Sequence, residues 1–231
     1  MKRLLMLIAV CLLFAGCAPA PEPTPTPIPP TNTPLPTSNP LPSPTATEIP
    51  VQPTAASTGY IVIEGNGVSI TVPDTYIGGS EEDIQLVMET MKGMGGAYTE
   101  AAEMIEENPG LYLIFAYDTK MGASGSLTNF NVTTLQIPSG ITLESQLPSL
   151  IDYYEQIGGT DIESQACTHE DHDCFAVYVT IANQGMTMRL LQYLIHEGVD
   201  IYAVTFGTDI SEFTERYPEF AEAFSTFKIM E

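Results

Sequence analysis

The segment from Pro19 to Pro53 sets the tightest limit on what this chain can fold into. It runs through Pro23-Thr24-Pro25-Thr26-Pro27, Pro34-Leu35-Pro36 and Pro42-Ser43-Pro44. Each proline fixes its own φ and pushes the residue before it to extended geometry. A stretch of Pro, Thr and Ser has nothing with which to bury a core, so it reads as polyproline II and disorder. At ~3.1 Å per residue, roughly 40 such residues reach at most about 120 Å. The chain of 231 residues therefore divides into residues 1–16, a tether over 17–57, and one globular domain over 58–231. The expected task of the tether is spacing. Its Thr and Ser residues are also candidates for O-linked sugars.

The residues before the tether explain why a spacer is needed. Met1-Lys2-Arg3 is a short positive start, Leu4 to Phe14 is an apolar run, and Ala15-Gly16 supplies small residues for cleavage. The run is too short to span a bilayer, which takes about 20 residues. Phe14-Ala15-Gly16-Cys17, with Leu13 before it, resembles the bacterial lipobox, departing from it in Phe14. The resemblance implies a signal peptide over 1–16, removed to leave Cys17 as the mature N-terminus. It also implies a diacylglyceryl group on the Cys17 sulfur, with further acylation by chains such as palmitate. At about 0.8 kcal/mol per buried CH₂, such chains hold a protein firmly at a membrane. The expected location is the cell membrane, lipid-anchored, facing outside the cytoplasm. The other reading is an ordinary secreted protein cleaved nearby. Ala18 is not the aspartate that marks inner-membrane retention in some bacteria, which leaves the choice of membrane open. Cys11, inside the apolar run, reads as a small apolar filler.

The charge of the chain limits its partners. Lysine and arginine number 7 against 29 acidic residues, for a net −22. Loss of Lys2 and Arg3 with the signal peptide leaves five basic residues against 29 acidic ones, or −24. Phosphate backbones and anionic lipid heads repel such a surface. Nucleic acid is therefore excluded as a partner, and so is membrane docking by the domain itself. Cationic partners, metal ions or simple solubility remain. The domain is expected to be monomeric.

Within the domain, Tyr60–Ile63 and Val68–Val72 flank Gly65-Asn66-Gly67, a strong hairpin signal that Pro73 ends. Ile84, Val87, Met88 and Met91 recur at helical spacing within residues 81–107, and Gly93-Met94-Gly95-Gly96 splits that stretch into two helices. Leu111–Tyr117 and Phe130–Ile137 read as strands, and 142–157 as a helix closed by Gly158-Gly159. Ile162–Cys167 with Cys174–Ala182 forms a hairpin, and Met186–His196 with Val199–Phe206 another. A helix over about 209–225 carries Phe213, Tyr217, Phe220 and Phe224 as a core stripe, and Phe227-Lys228-Ile229 is a short closing strand. Hairpins with helices inserted between them define an α+β fold. The simplest packing is one antiparallel sheet of six or more strands with helices on both faces.

This order resembles the PsbP-like αβα sandwich over residues 60–231. The residues that carry it are Val68-Ser69-Ile70-Thr71-Val72-Pro73, the hairpin from Arg189–Leu194 to Tyr202–Phe206, and the last helix leading to Ser225-Thr226-Phe227. The resemblance implies a non-enzymatic accessory module. Relatives help assemble photosynthetic complexes, bind small GTPases, or serve as envelope lipoproteins. The long helical insertion after the first hairpin departs from that pattern, and no functional residue of the family maps onto this chain.

The sharpest local motif is Cys167-Thr168-His169-Glu170-Asp171-His172-Asp173-Cys174. It holds two of the 3 histidines and both cysteines of the domain. Outside the cytoplasm two cysteines flanking a hairpin loop form a disulfide, worth about 2–3 kcal/mol. Alternatively Cys167, His169, His172 and Cys174 hold a divalent metal, since thiolates and imidazoles are zinc ligands. Eight residues seldom wrap a tetrahedral ion, however. A third reading closes the disulfide and leaves the histidines and acids to bind metal loosely. A fourth makes them solvated loop residues. Gly93–Gly96 lacks the lysine of a phosphate loop, and Gly122–Ser126 is not a nucleophile elbow. No nucleophile–base pair is visible, so the chain is expected not to be an enzyme and to need no cofactor beyond its lipid. The function expected is a non-catalytic binding or scaffolding module for an envelope protein or small ligand. The alternative is a metal-binding lipoprotein using the Cys167–Cys174 loop.

Overall fold

A computed structural model describes residues 59–230 except 109, 123, 124 and 184. The signal peptide, Cys17 and the tether lie outside the described residues. The chain opens with strands β1 (Tyr60–Gly65) and β2 (Val68–Pro73), paired so that Gly65 faces Val68. Asn66 and Gly67 make the two-residue turn with φ of 26° and 86°. Positive φ is what the twist of a tight hairpin requires, and Asn-Gly supplies it cheaply.

Next come β3 (Tyr76–Gly79) and helices α1 (Glu81–Met94) and α2 (Ala97–Glu107). Gly95 and Gly96, both at positive φ, break the helical run where the glycine cluster predicts. β4 (Tyr112–Asp118), β5 (Asn129–Gln136) and α3 (Leu143–Gln156) follow. Thr142 caps α3, its side chain accepting from the Ser145 N–H at 3.3 Å. Then β6 (Thr160–His169), β7 (His172–Asn183), β8 (Met186–Glu197) and β9 (Asp200–Asp209) meander antiparallel. Helix α4 (Phe213–Ser225) and the two-residue β10 (Lys228–Ile229) complete the described fold.

The α+β class and the antiparallel sheet are as expected, with one correction. The strands form two sheets: β1-β2-β10, and a seven-stranded sheet in the order β3-β4-β5-β9-β8-β7-β6. The first hairpin stands outside the main sheet, with β2 pairing β1 on one side and β10 on the other. β4 pairs instead with β3, a strand the hydrophobic pattern did not announce. β3 is short and glycine-rich. A Cβ at Gly78 would stand 2.2 Å from the Phe115 carbonyl oxygen, so only glycine lets β3 come this close. The last helix also begins later than expected, at Phe213.

Helices cover both faces of the large sheet. On one face α4 and the small sheet enclose the main core, which includes Ile70, Ile114, Phe130, Leu191, Phe206, Phe220 and Phe227. Phe224 stacks on Tyr193 at 3.6 Å, and Phe220 on Phe206 at 4.9 Å. Such pairs add about 0.5–1.5 kcal/mol beyond the area they bury. On the other face α3 packs on Val177, Val179, Leu190 and Leu194, while α1 and α2 pack on Tyr112, Phe115 and Tyr117. Strand alternation makes this possible: Phe130 and Val132 face α4, while Asn131 and Thr133 face the opposite layer.

Candidate functional site

The Cys–His motif lies at the β6–β7 tip. The strands run two residues further on each side than expected, leaving Glu170 and Asp171 as the turn. Cys167 sits directly opposite Cys174, and the two form a disulfide with Cα atoms 4.7 Å apart. A cross-strand pair at this spacing needs no movement to be bridged. His169 and His172 form the next pair towards the turn.

That register puts the four donors of the metal reading on one face of the hairpin, but each is engaged elsewhere. Both sulfurs are in the disulfide. His169 is turned inward, 6% exposed, with Nε2 2.8 Å from the Phe227 carbonyl oxygen and its ring 4.5 Å from Phe224. His172 holds Nδ1 2.7 Å from Glu197 at the partly exposed end of β8. The structure therefore does not assemble the four-ligand site. Strand alternation aims His169 into the core, where it joins the tip to the end of α4. Among the described residues no group of three or more His, Cys, Asp and Glu side chains is arranged around a metal position.

A different polar centre lies at the other side of α4. β4 ends in Asp118, a carboxylate only 1% exposed. Its Oδ1 accepts from the Lys120 N–H at 2.9 Å, and its Oδ2 accepts from Arg216 Nη1 at 2.6 Å. Arg216, on the second turn of α4, also donates through Nη1 to Glu219 at 3.4 Å and through Nη2 to the Lys120 carbonyl at 3.3 Å. Tyr76, on β3, donates to the other Glu219 oxygen at 2.8 Å. Three separate segments thus meet in one ionic network: β3, the start of the β4–β5 connection, and α4.

The electrostatics follow from burial. Tyr76 is held well above the ordinary phenol range, first by burial and then by the adjacent Glu219 charge. For Arg216, burial pulls against the cation, and the hydrogen bond and charge of Asp118 more than offset it, so its value rises. A guanidinium fork suits this junction, because it reaches two carboxylates and a backbone carbonyl at once.

Beside the network is a cleft of about 410 Å³ lined by Lys120, Gly122, Glu212, Glu215, Arg216 and Glu219. That volume lies within the roughly 300–1,000 Å³ of ligand clefts. The Glu212 carboxylate lies close against Gly122, in space that a side chain there would occupy. A second cavity lies under α1 and α2, with Ile84, Met88, Ile105 and Tyr112 among its lining. At about 60 Å³ it has room for only a small alkyl group.

None of the cleft residues stands out in the sequence as a motif. Asp118 and Arg216 are 98 positions apart. A usable signal exists in the basic residues. With only five after Arg3, an arginine on the polar side of an aromatic helix and a lysine after a strand merit attention.

The architecture defines an α+β sandwich, a seven-stranded antiparallel sheet layered between helices. No family model matches the sequence. No curated protein matches it either. Among solved structures, the chain is similar to the solution structure of cyanobacterial PsbP (CyanoP) from Synechocystis sp. PCC 6803, at 12% identity and a TM-score of 0.48. That match covers 76% of this chain and 94% of the other. It is also similar to LpqN, described as involved in cell envelope biogenesis of Mycobacterium tuberculosis, at 8% identity and a TM-score of 0.46. Here 75% of this chain and 91% of the other are covered.

Proposed function

We propose that this protein is a lipid-anchored binding module of the cell envelope, held outside the cytoplasm by Cys17 and without catalytic activity of its own. The observation that carries the reading is the order of segments: a signal-like start, a small-residue site before Cys17, some 40 residues rich in Pro and Thr, then a folded domain. The lipid supplies membrane affinity, and the tether supplies reach. The domain is then free to be strongly acidic, because it need not touch anionic lipid heads. The Cys167–Cys174 disulfide agrees with an oxidising compartment. Among the described residues no helix is long and apolar enough to cross a membrane.

Recognition is the proposed mechanism, with an envelope protein or a small ligand as the partner. The test expresses the full chain in a bacterial host with labelled palmitate. Label should enter the native protein and be lost in Cys17→Ala, and the variant should move from the membrane fraction to the soluble extracytoplasmic fraction. Equal label in both proteins, or an unlabelled native chain, refutes the anchor. Crosslinking on intact cells then addresses the protein partner.

A further inference from the structure

We propose that the cleft between the β4–β5 connection and α4 binds a small zwitterion, a molecule carrying a free amine and a free carboxylate, such as an amino acid or a short peptide. The inference deepens the binding-module reading by assigning its ligand class and site.

The starting point is an unused pair of charges. Lys120 lies on the wall formed by the connection after β4, and Glu215 lies on the wall formed by α4. Among the described residues, neither side chain takes part in any ion pair. In a mature chain with 29 acidic and five basic residues, an ammonium without a carboxylate partner is unexpected. It is more so with Glu212, Glu215 and Glu219 lining the same cleft. Lys120 and Glu215 line the same cleft without an ion pair between them.

Arg216 ties both walls together behind the cleft, through Asp118 and the Lys120 carbonyl on one side and Glu219 on the other. Gly122 lets the Glu212 carboxylate approach the connection closely. Tyr76 fixes the far oxygen of Glu219. The neutralised pairs form the frame, and Lys120 and Glu215 are left facing the opening. A ligand amine matches Glu215, and a ligand carboxylate matches Lys120 and the outer face of Arg216, which is 17% exposed. A cleft of about 410 Å³ admits an amino acid or a dipeptide.

The charge balance ranks the two ends. Asp118, Glu212, Glu215 and Glu219 outnumber Lys120 and Arg216 by four to two, so the cleft favours the amine end. Blocking the ligand amine should therefore cost more than blocking its carboxylate.

The experiment is calorimetric titration of the full chain in detergent micelles with L-alanine and with L-alanyl-L-alanine, each also in N-acetylated and C-amidated form. Whichever zwitterion binds, its acetylated form should bind at least about tenfold more weakly and its amide about threefold more weakly, as expected for hydrogen bonds to charged groups. Glu215→Gln should remove most of the acetylation penalty, and Lys120→Met most of the amidation penalty. Both positions are exposed, so both variants should keep the native melting temperature. Comparison of the two zwitterions separates a free amino acid from a peptide. The proposal is overturned if no probe binds, if the acetylated form binds as well as the parent, or if the amide does, which would leave Lys120 without a role. None of these results touches Cys17, so palmitate labelling still judges the anchor separately.

Discussion

At the β6–β7 tip, two cysteines, two histidines and three acids crowd into eight positions, and the chain reverses in two residues. At the cleft, Asp118 and Arg216 come from positions 98 apart, and Tyr76 from a third segment. The dense cluster is engaged internally: sulfur with sulfur, His169 with the Phe227 carbonyl, His172 with Glu197. The dispersed set leaves an open cleft with charges facing it. Density along a chain is a poor guide to chemistry here, because each candidate ligand of the cluster already has a partner. Segments joined by a sheet and a crossing helix can bring together what sequence keeps apart.

Three measurements can break or sharpen that contrast. The largest effect should come from Asp118→Ala, which strips a buried carboxylate from Arg216. Breaking one side of a buried ion pair costs about 3–5 kcal/mol, and the partial exposure of Arg216 argues for the lower end, about 3 kcal/mol. Urea unfolding should show this loss, and pairing Asp118→Leu with Arg216→Met should return a good part of it. Equal stability of Asp118→Ala and the native chain would reduce the network to a surface contact.

The disulfide should matter somewhat less. It closes a loop with a sequence separation of 7, so replacing both cysteines with alanine should cost about 2–3 kcal/mol. Reduction of the native protein should lower its unfolding midpoint by a similar amount and leave the double variant unchanged. A native protein indifferent to reductant would mean that the tip is held by its strand pairing and by His169 alone.

The smallest effect distinguishes the two regions by pH. Tyr76 is held well above 10 in the folded state, and Tyr178 is pushed up to about 12, mainly by burial and then by its hydrogen bond with Tyr217. Above pH 10 the unfolded chain loses these phenol protons while the folded chain keeps them. Stability is therefore complete below pH 10 and falls as pH rises through 10 to 12. Each such group contributes a slope of up to about 1.4 kcal/mol per pH unit. Tyr76→Phe should flatten the loss between pH 10 and 12, and removing the disulfide should not. An unchanged slope in Tyr76→Phe would show that burial and the Glu219 contact do not hold this phenol protonated.

Much of the fold is readable before any coordinates. The Gly65-Asn66-Gly67 turn, the break at Gly93–Gly96, the helix over 143–156 and the aromatic stripe of the last helix follow from local geometry and periodicity. Each depends on residues close in sequence. Phe220 and Phe224 are buried as the stripe requires, whereas Tyr217 stays 37% exposed at the margin. β3 is different. Four residues ending in two glycines carry no alternating pattern, and their strand state depends on β4 offering an edge. The place of the first hairpin in a second sheet likewise depends on a distant partner, β10, which pairs with β2.

By itself, the sequence determined the α+β class of this protein, through alternation, helical periodicity and turn residues. Those properties are local or summed, so they need no tertiary contact. Only the tertiary structure decided what the polar residues do. It drew His169 into the core and joined Cys167 to Cys174. It buried Asp118 against Arg216 and put Lys120 and Glu215 on the lining of one cleft. Such pairings depend on strand register and on where α4 crosses the sheet, and neither is encoded within reach of any one segment.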